Sequence, residues 1–554
     1  MNLQFVQATE AAQASAEASN RGVTAIVLPF TEPLPARPAG VQLFARVDAM
    51  APHGTGVCRD SWDDPSALTV DGEHMLVACP NDAAEEHAFD EEARAASRLA
   101  VDGVLLDRPD AWYAADSRGA GFCPHCRDRQ TGALVSAYGE QFSTKEAVTR
   151  PPASEPNPPF WREREALRLR VAVEHGGRIS RRARDEVRRV RNSETLVGAR
   201  LLGPSAAAVL LAQKLDFVVL PAPAPTPARS DAGIYETFRG ALRHRPLVGE
   251  LDPDTARVPH LVRQASRLAA ACGAEVSLPL NAPAESHAAL AALRRFWREF
   301  RSRHRPVERL TEALLLYSPD ADHWTRGVHG EGVRAAAEAL TLLGAQYRII
   351  LSVPRSGTEP IVLADASALP ADDAARLDRR ITEGAGAIIL GTTGTADETG
   401  RPLEGPFGEL EPGLNRVGAG TAFVLDLDAP AREAPRKWDS LAPGIEKALE
   451  SLLGRGRRAA SSSRPSMMIK MYVDPDRKLD VHLVGRQFNA TTGAPEDLKG
   501  VTLYLSGGAV SGARSGYLFT PDAPERKVAL TPFGMGVQAA LPDFAGSAVL
   551  TIAR

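Results

Sequence analysis

Cysteine is scarce in this chain. Five occur in 554 residues, at positions 58, 79, 123, 126 and 272, so no disulfide framework holds the fold together. Also missing is any apolar run approaching the roughly 18 residues that a membrane helix requires. The N-terminus, Met1-Asn2-Leu3-Gln4-Phe5, has neither the basic opening nor the apolar segment that directs secretion, and a cytoplasmic location is expected. Charge of either sign is not in excess. Sixty-five Lys and Arg face 69 Asp and Glu, a formal net charge of −4, so neither nucleic acid nor an anionic membrane is an expected partner. What is present, 44% hydrophobic and 24% charged residues, is the make-up of a globular protein. The length exceeds what one core can fill and suggests about three or four domains.

Residues 1–305 alternate short apolar runs with helical or loop stretches. Candidate strands are Val23–Leu28, Val41–Val47, Val104–Asp107, Leu196–Leu201, Phe217–Leu220, Pro246–Glu250 and Glu275–Leu280. An eighth comes from Leu3–Val6 or His74–Ala78, and either choice leaves Val104–Asp107 fourth. Most of these runs are continuously apolar and not alternating, as in strands buried on both faces of a parallel sheet. Helices are expected at Glu91–Leu99, Trp161–His175 and His260–Ala271. Eight such units in this length predict a (β/α)8 barrel of TIM type. The connection from Leu28 to Val41 is short and rich in Pro, so a helix is expected to be missing there.

Residues 306–451 read as a second α/β unit, flavodoxin-like in outline, with strands Leu314–Tyr317, Tyr347–Leu351, Ile361–Leu363 and Ala387–Leu390 and helices Gly332–Leu343 and Ala371–Glu383. Gly344 stands where a helix C′ residue is expected. Residues 452–466 are basic and rich in Gly and Ser and read as a linker. From Met467 to residue 554 the pattern shifts toward period two, predicting a small antiparallel β-sandwich.

Val101-Asp102-Gly103-Val104-Leu105-Leu106-Asp107 delivers a carboxylate at the tip of a buried strand, and in parallel barrels that tip faces the active site. Trp112 and Tyr113 follow closely and could stack on sugar rings. Equally, an Asp in this position can cap the next helix. Glycoside hydrolysis uses two carboxylates. Glu250, closing the seventh strand, is the natural partner: tips four and seven face each other across a barrel mouth. Asp107 is assigned as nucleophile and Glu250 as general acid/base, against the alternative that Glu250 caps a helix or pairs with Arg245. Asp110 is the reserve carboxylate, and Asp102 is expected near the opposite rim. Arg46, Asp48, Trp62, Arg108, Asp110, Trp112 and Tyr113 are candidate substrate contacts, with Arg108 suited to an anionic sugar. Arg178–Arg191 reads as a solvated helix face, and Cys272 as a buried small hydrophobe.

A barrel, a flavodoxin-like unit and a β-sandwich in this order resemble the family-42-type bacterial β-galactosidases and the related hypothetical glycosyl hydrolase barrels. Local features carry the resemblance: Val101–Asp107, the Gly121-Phe122-Cys123-Pro124-His125-Cys126-Arg127 turn, Phe160-Trp161-Arg162-Glu163-Arg164, and the Gly391–Gly400 tail of an amidotransferase-like unit. The resemblance implies a glycosidase acting on a carbohydrate, assembly into a dimer or trimer, and no required cofactor. Family members often hold a structural zinc on a Cys cluster. Here Gly121 replaces the first Cys of that cluster, leaving Cys123 and Cys126, with Cys79, Cys58 and His125 as the remaining ligand candidates. No Cys occurs from 273 to 554, which excludes cysteine-dependent glutamine hydrolysis in the second unit. The competing expectation is a catalytically inactive carbohydrate-binding or scaffold protein on the same fold.

Overall fold

A computed structural model describes residues 3–5, 25–29, 41–49, 66–68, 74–81, 83–98, 101–114, 124–139, 159–191, 195–222, 232–279, 281–304, 308–398, 403, 410–425, 427, 437–454, 459–464, 467–474, 478–486, 496–507 and 510–552. The first sheet has eight strands: β1 (Leu3–Phe5), β2 (Ala25–Pro29), β3 (Gln42–Asp48), β4 (Gly103–Asp107), β5 (Leu196–Arg200), β6 (Phe217–Ala222), β7 (Leu247–Leu251) and β8 (Glu275–Ser277). They pair in chain order and every pairing is parallel. The sheet curls until β1 and β8 approach each other, giving a TIM-type barrel. Leu3–Phe5 is thus the eighth strand that composition left open. His74–Ala78 instead pairs antiparallel with Ser66–Leu68 as a separate hairpin. Residues 30–40, where a helix is expected to be missing, lie outside the described residues.

Inside the barrel, Val27, Phe44, Leu105, Phe217, Val219 and Val248 form an apolar plug of their own. Phe44 and Phe217 meet edge-on with ring centroids 5.1 Å apart. Two glycines make room for these rings. A Cβ on Gly198 would stand 2.3 Å from the Phe217 ring, and one on Gly103 would stand 2.6 Å from Phe44. Along each strand every second residue points inward. The position two after Leu105 is Asp107, two after Gly198 is Arg200, and two after Val248 is Glu250. Strand phase therefore sets a charged layer directly above the apolar plug.

The helix expected at Trp161–His175 runs far beyond His175, as Pro159–Arg191. Gly176 and Gly177 do not stop it. A Cβ on Gly176 would lie 2.7 Å from Leu211, so this glycine lets the long helix press against helix Ala206–Ala212. The Arg-rich stretch is the second half of the same helix.

The second unit is a six-stranded sheet: β9 (Ala313–Leu316), β10 (Tyr347–Ile350), β11 (Ile361–Ala364), β12 (Gly386–Leu390), β13 (Gly413–Val417) and β14 (Gly420–Leu425), ordered β10-β9-β11-β12-β14-β13. Only β13 runs antiparallel to its neighbour. Helix Val328–Leu342 ends at Gly344, whose φ of 69° is the left-handed conformation expected of a C′ residue. The last unit packs a six-stranded and a four-stranded antiparallel sheet, with the two-stranded pair Asp497–Leu498 and Phe544–Ala545, around one core. Its larger sheet includes Met467–Val473 and Leu479–Gly485, and takes Glu308–Arg309 as an edge strand beside Met467–Val473. The stretch 452–466 is less of a tether than its composition suggests. Helix Trp438–Leu453 enters it, and Ala460–Ser462 pairs with Thr502–Ser506 in the four-stranded sheet.

Candidate active site at the barrel mouth

Asp48, Asp107 and Arg200 are direct cross-strand partners at the C-terminal ends of β3, β4 and β5. Glu250 projects from the corresponding end of β7. One guanidinium joins the two acids. Arg200 Nε donates to Glu250 Oε2 at 2.6 Å, and its Nη1 lies 3.4 Å from Asp107 Oδ1. A single planar guanidinium spanning both keeps the paired oxygens within about 8 Å of each other. Burial alone would pull Arg200 down, but Glu250 and Asp107 more than offset it and hold its pKa above the usual value.

Two more guanidiniums converge on Asp107. Arg46 Nε lies 3.9 Å and Arg108 Nε 3.8 Å from the same Oδ2. Arg108 also reaches Asp48 Oδ2 at 3.5 Å. The Asp107 side chain is 5% exposed and Glu250 18%, whereas Arg46 and Arg108 are 45% and 46% exposed. Arg108 sits at φ 49°, a left-handed conformation that costs a non-glycine residue about 1 kcal/mol or more. Its backbone N–H donates to Arg200 O at 2.8 Å and fixes the turn.

The alternatives for Glu250 do not hold. Asp252, not Glu250, caps the helix Pro253–Ala256. Arg245 donates to the carbonyls of Gln213 and Leu215. Asp102 accepts from Leu43 N at 2.8 Å at the start of β4, the far rim from Asp107.

Three expected contacts are placed elsewhere. Trp112 is buried in the main hydrophobic core and offers no face to a sugar. Tyr113 shares a 2.7 Å hydrogen bond with His323 Nδ1 and lies under Arg168, which stands 4.9 Å from its ring centre, so it serves the contact with the second unit. The cause is the short helix Ala111–Ala114, which turns both rings away from the rim. Asp110 is buried beneath the mouth, where it accepts from Leu202 N at 3.1 Å. Burial pushes its pKa up to about 7, with the Asp107 charge adding to the rise. Trp62, Cys58 and Cys123 lie outside the described residues.

Sequence reasoning does not single out Arg200 or Glu92. Glu92, on helix Ala83–Arg98, is pushed up to about 7 by burial and then by the Asp48 carboxylate, partly offset by the Asp48 backbone N–H. Cys79 Sγ and Cys126 Sγ are 3.4 Å apart, and Asn81 donates to the latter at 3.1 Å. Two thiolates on one tetrahedral zinc stand about 3.8 Å apart, so these sulfurs lie closer together than such a pair. Among the described residues no three His, Cys, Asp or Glu side chains gather as a metal site. A cavity of about 510 Å³ lies between helices Pro159–Arg191, Ala206–Ala212 and Pro319–Trp324. Leu169, Val173, Leu210, His323 and Trp324 line it, and none of the rim residues does. This side cleft is therefore separate from the charged rim. No helix among the described residues is long and apolar enough to cross a membrane.

No family model and no curated protein matches the chain. Solved structures do. A β-galactosidase from Bacillus circulans sp. alkalophilus superposes with a TM-score of 0.71 at 11% identity, over 100% of this chain and 99% of that one. A GH42 β-galactosidase from G. stearothermophilus gives 0.67 at 10% identity, over 100% and 98%. An α-L-fucosidase from Paenibacillus thiaminolyticus gives 0.65 at 12% identity, over 100% and 99%. Across its whole length, then, this chain has the fold of the GH42-type β-galactosidases.

Proposed function

We propose that the protein is a glycoside hydrolase that cleaves a glycosidic bond by a two-carboxylate retaining mechanism. Asp107 attacks the anomeric carbon. Glu250 protonates the departing oxygen and then takes a proton from the water that releases the sugar. The observation that carries this reading is the convergence of Asp107 and Glu250, from strands four and seven, on one guanidinium at the barrel mouth. The bound on their separation admits both the roughly 5–5.5 Å of retaining enzymes and part of the roughly 6.5–9.5 Å of inverting ones. The neighbours in fold are named as glycosidases of two sugar specificities, which supports the class and leaves the sugar open.

The same guanidinium favours a second reading. A carboxyl carrying the proton to be donated is neutral, so turnover requires the Arg200–Glu250 ion pair to be lost, leaving at most a neutral hydrogen bond. A protein in which this ion pair is never lost is a carbohydrate-binding or scaffold protein on a glycosidase fold. Aryl glycosides of both anomers separate the two. Turnover by the wild type, abolished in Asp107→Asn and in Glu250→Gln, supports the hydrolase. Sugar binding without any turnover supports the second reading, and active mutants overturn the residue assignment. A structural zinc on Cys79 and Cys126, completed by Cys58 and Cys123, belongs to the same proposal. Elemental analysis finding no zinc in protein purified without chelator removes it.

A further inference from the structure

We propose that Arg46 and Arg108 receive an anionic substituent of the sugar, a carboxylate or an ester sulfate, so that the substrate is an acidic glycan. This rests on the barrel mouth being the glycan site proposed above. The rim balances in charge, with Asp48, Asp107 and Glu250 against three guanidiniums, but the cations are unevenly shared. Asp107 has three within 4 Å: Arg46 from β3, Arg108 from the turn after β4, and Arg200 from β5. Arg200 alone holds a short contact, at 2.6 Å to Glu250. A guanidinium carries five N–H donors, and charge-assisted bonds to carboxylate run about 2.7–2.9 Å. Arg46 makes one approach at 3.9 Å, and Arg108 two at 3.5 and 3.8 Å. Those contacts engage few of their donors among the described residues, and nearly half of each side chain is exposed.

The two guanidiniums approach the same Oδ2, so they converge without neutralising each other. An anion between them relieves that crowding and takes planar, two-pronged hydrogen bonds, the geometry arginine offers carboxylates and oxyanions. The left-handed backbone of Arg108 points the same way. A bulky residue held at φ 49° beside a candidate site is strain of the kind stored where geometry serves binding. Asp48 offsets part of the positive charge through Arg108, and Arg46 has no second acid of its own within 4 Å among the described residues.

Calorimetric titration of the full-length protein tests this. The probes are 4-nitrophenyl glucuronide against the glucoside, and 4-nitrophenyl galactoside 6-sulfate against the galactoside, in both anomers. At least one charged sugar is expected to bind about tenfold to a hundredfold more tightly than its neutral partner. That preference shrinks between low and high salt. Which pair shows it separates carboxylate from sulfate. Arg46→Gln and Arg108→Gln each bring the charged-to-neutral ratio toward one, and Arg46→Lys retains part of it. Should a Gln variant fail to fold, the wild-type preference and its salt dependence decide alone. Equal or tighter binding of the neutral sugars overturns the anionic inference while leaving the hydrolase reading intact. Charged sugars bound but never cleaved, with no turnover of the neutral ones, sink the hydrolase reading and leave the inference standing. No binding of any probe overturns both.

Discussion

Arg200 Nε lies 2.6 Å from Glu250 Oε2, so the fifth strand of the barrel grips the seventh across the sixth. Its other arm reaches the buried Asp107. Replacing Arg200 with Gln leaves Glu250 without this partner and Asp107 with two long ones. Removing one member of a fully buried pair costs about 3–5 kcal/mol. Arg200 is 35% exposed, so screening reduces the expected loss to about 1–3 kcal/mol in urea unfolding. A change below about 0.5 kcal/mol would show that the bridge contributes nothing to stability.

Asp110 gives the wild type a pH signature. Its folded pKa of about 7 stands above the ordinary 3.8, because burial disfavours the charged form. Between these values the folded protein holds a proton that the unfolded chain has lost. Stability therefore falls as pH rises from about 4 to about 7, with a slope of at most about 1.4 kcal/mol for each step of one in pH, and is level above that. Asp110→Asn keeps an acceptor for Leu202 N and removes the titration. Thermal melts at pH 5 and pH 8 should show a wild-type midpoint that drops further than the variant's, which keeps the contribution of Glu92. Parallel curves for the two proteins would refute this.

The junction of the three units holds a buried ionic cluster. Glu236 pairs with Arg309 and lies 3.4 Å from Lys470 Nζ, which in turn stands 4.0 Å from the Tyr347 ring centre. Burial raises Glu236, but Arg309 and Lys470 outweigh it and lower the pKa to about 2. The depressed value contributes stability that is complete above about pH 4.5 and lost as pH falls toward about 2. Glu236→Gln strands two buried cations and is expected to cost about 3–5 kcal/mol at pH 7. Full-length protein that melts within a degree of wild type would show the cluster to be dispensable.

Glycines test the packing of the lumen. Gly198→Ala drives a methyl into the Phe217 ring and should destabilise by about 1–3 kcal/mol or more. Gly132→Ala serves as the contrast. That residue lies in helix Pro124–Tyr138 with open space around its Cβ position, and the change should stabilise by about 0.5–1 kcal/mol. The opposite ordering in denaturant midpoints would contradict the described lumen.

Much of this is legible in the chain. The strands of the barrel are continuous apolar runs, so their order, and hence the placing of Asp107 on the fourth and Glu250 on the seventh, can be read directly. Arg200 can be found by phase, since it follows the lumen glycine Gly198 by two residues as Asp107 follows Leu105. A reading that looks only for paired acids passes over it. Trp112 and Tyr113 mislead because nearness in sequence to Asp107 does not fix direction once a helical turn intervenes. The long helix through Gly176 reads as too short because that glycine answers to Leu211, a partner 35 residues away that no local pattern reveals.

Glu308–Arg309, encoded just after the barrel, completes a sheet whose neighbouring strand begins at Met467. During synthesis, that edge has nothing to join until more than 150 further residues have been made. Glu236 likewise waits for Lys470. The last sixth of the chain thus acts as a fastening for an edge and a buried acid encoded before it.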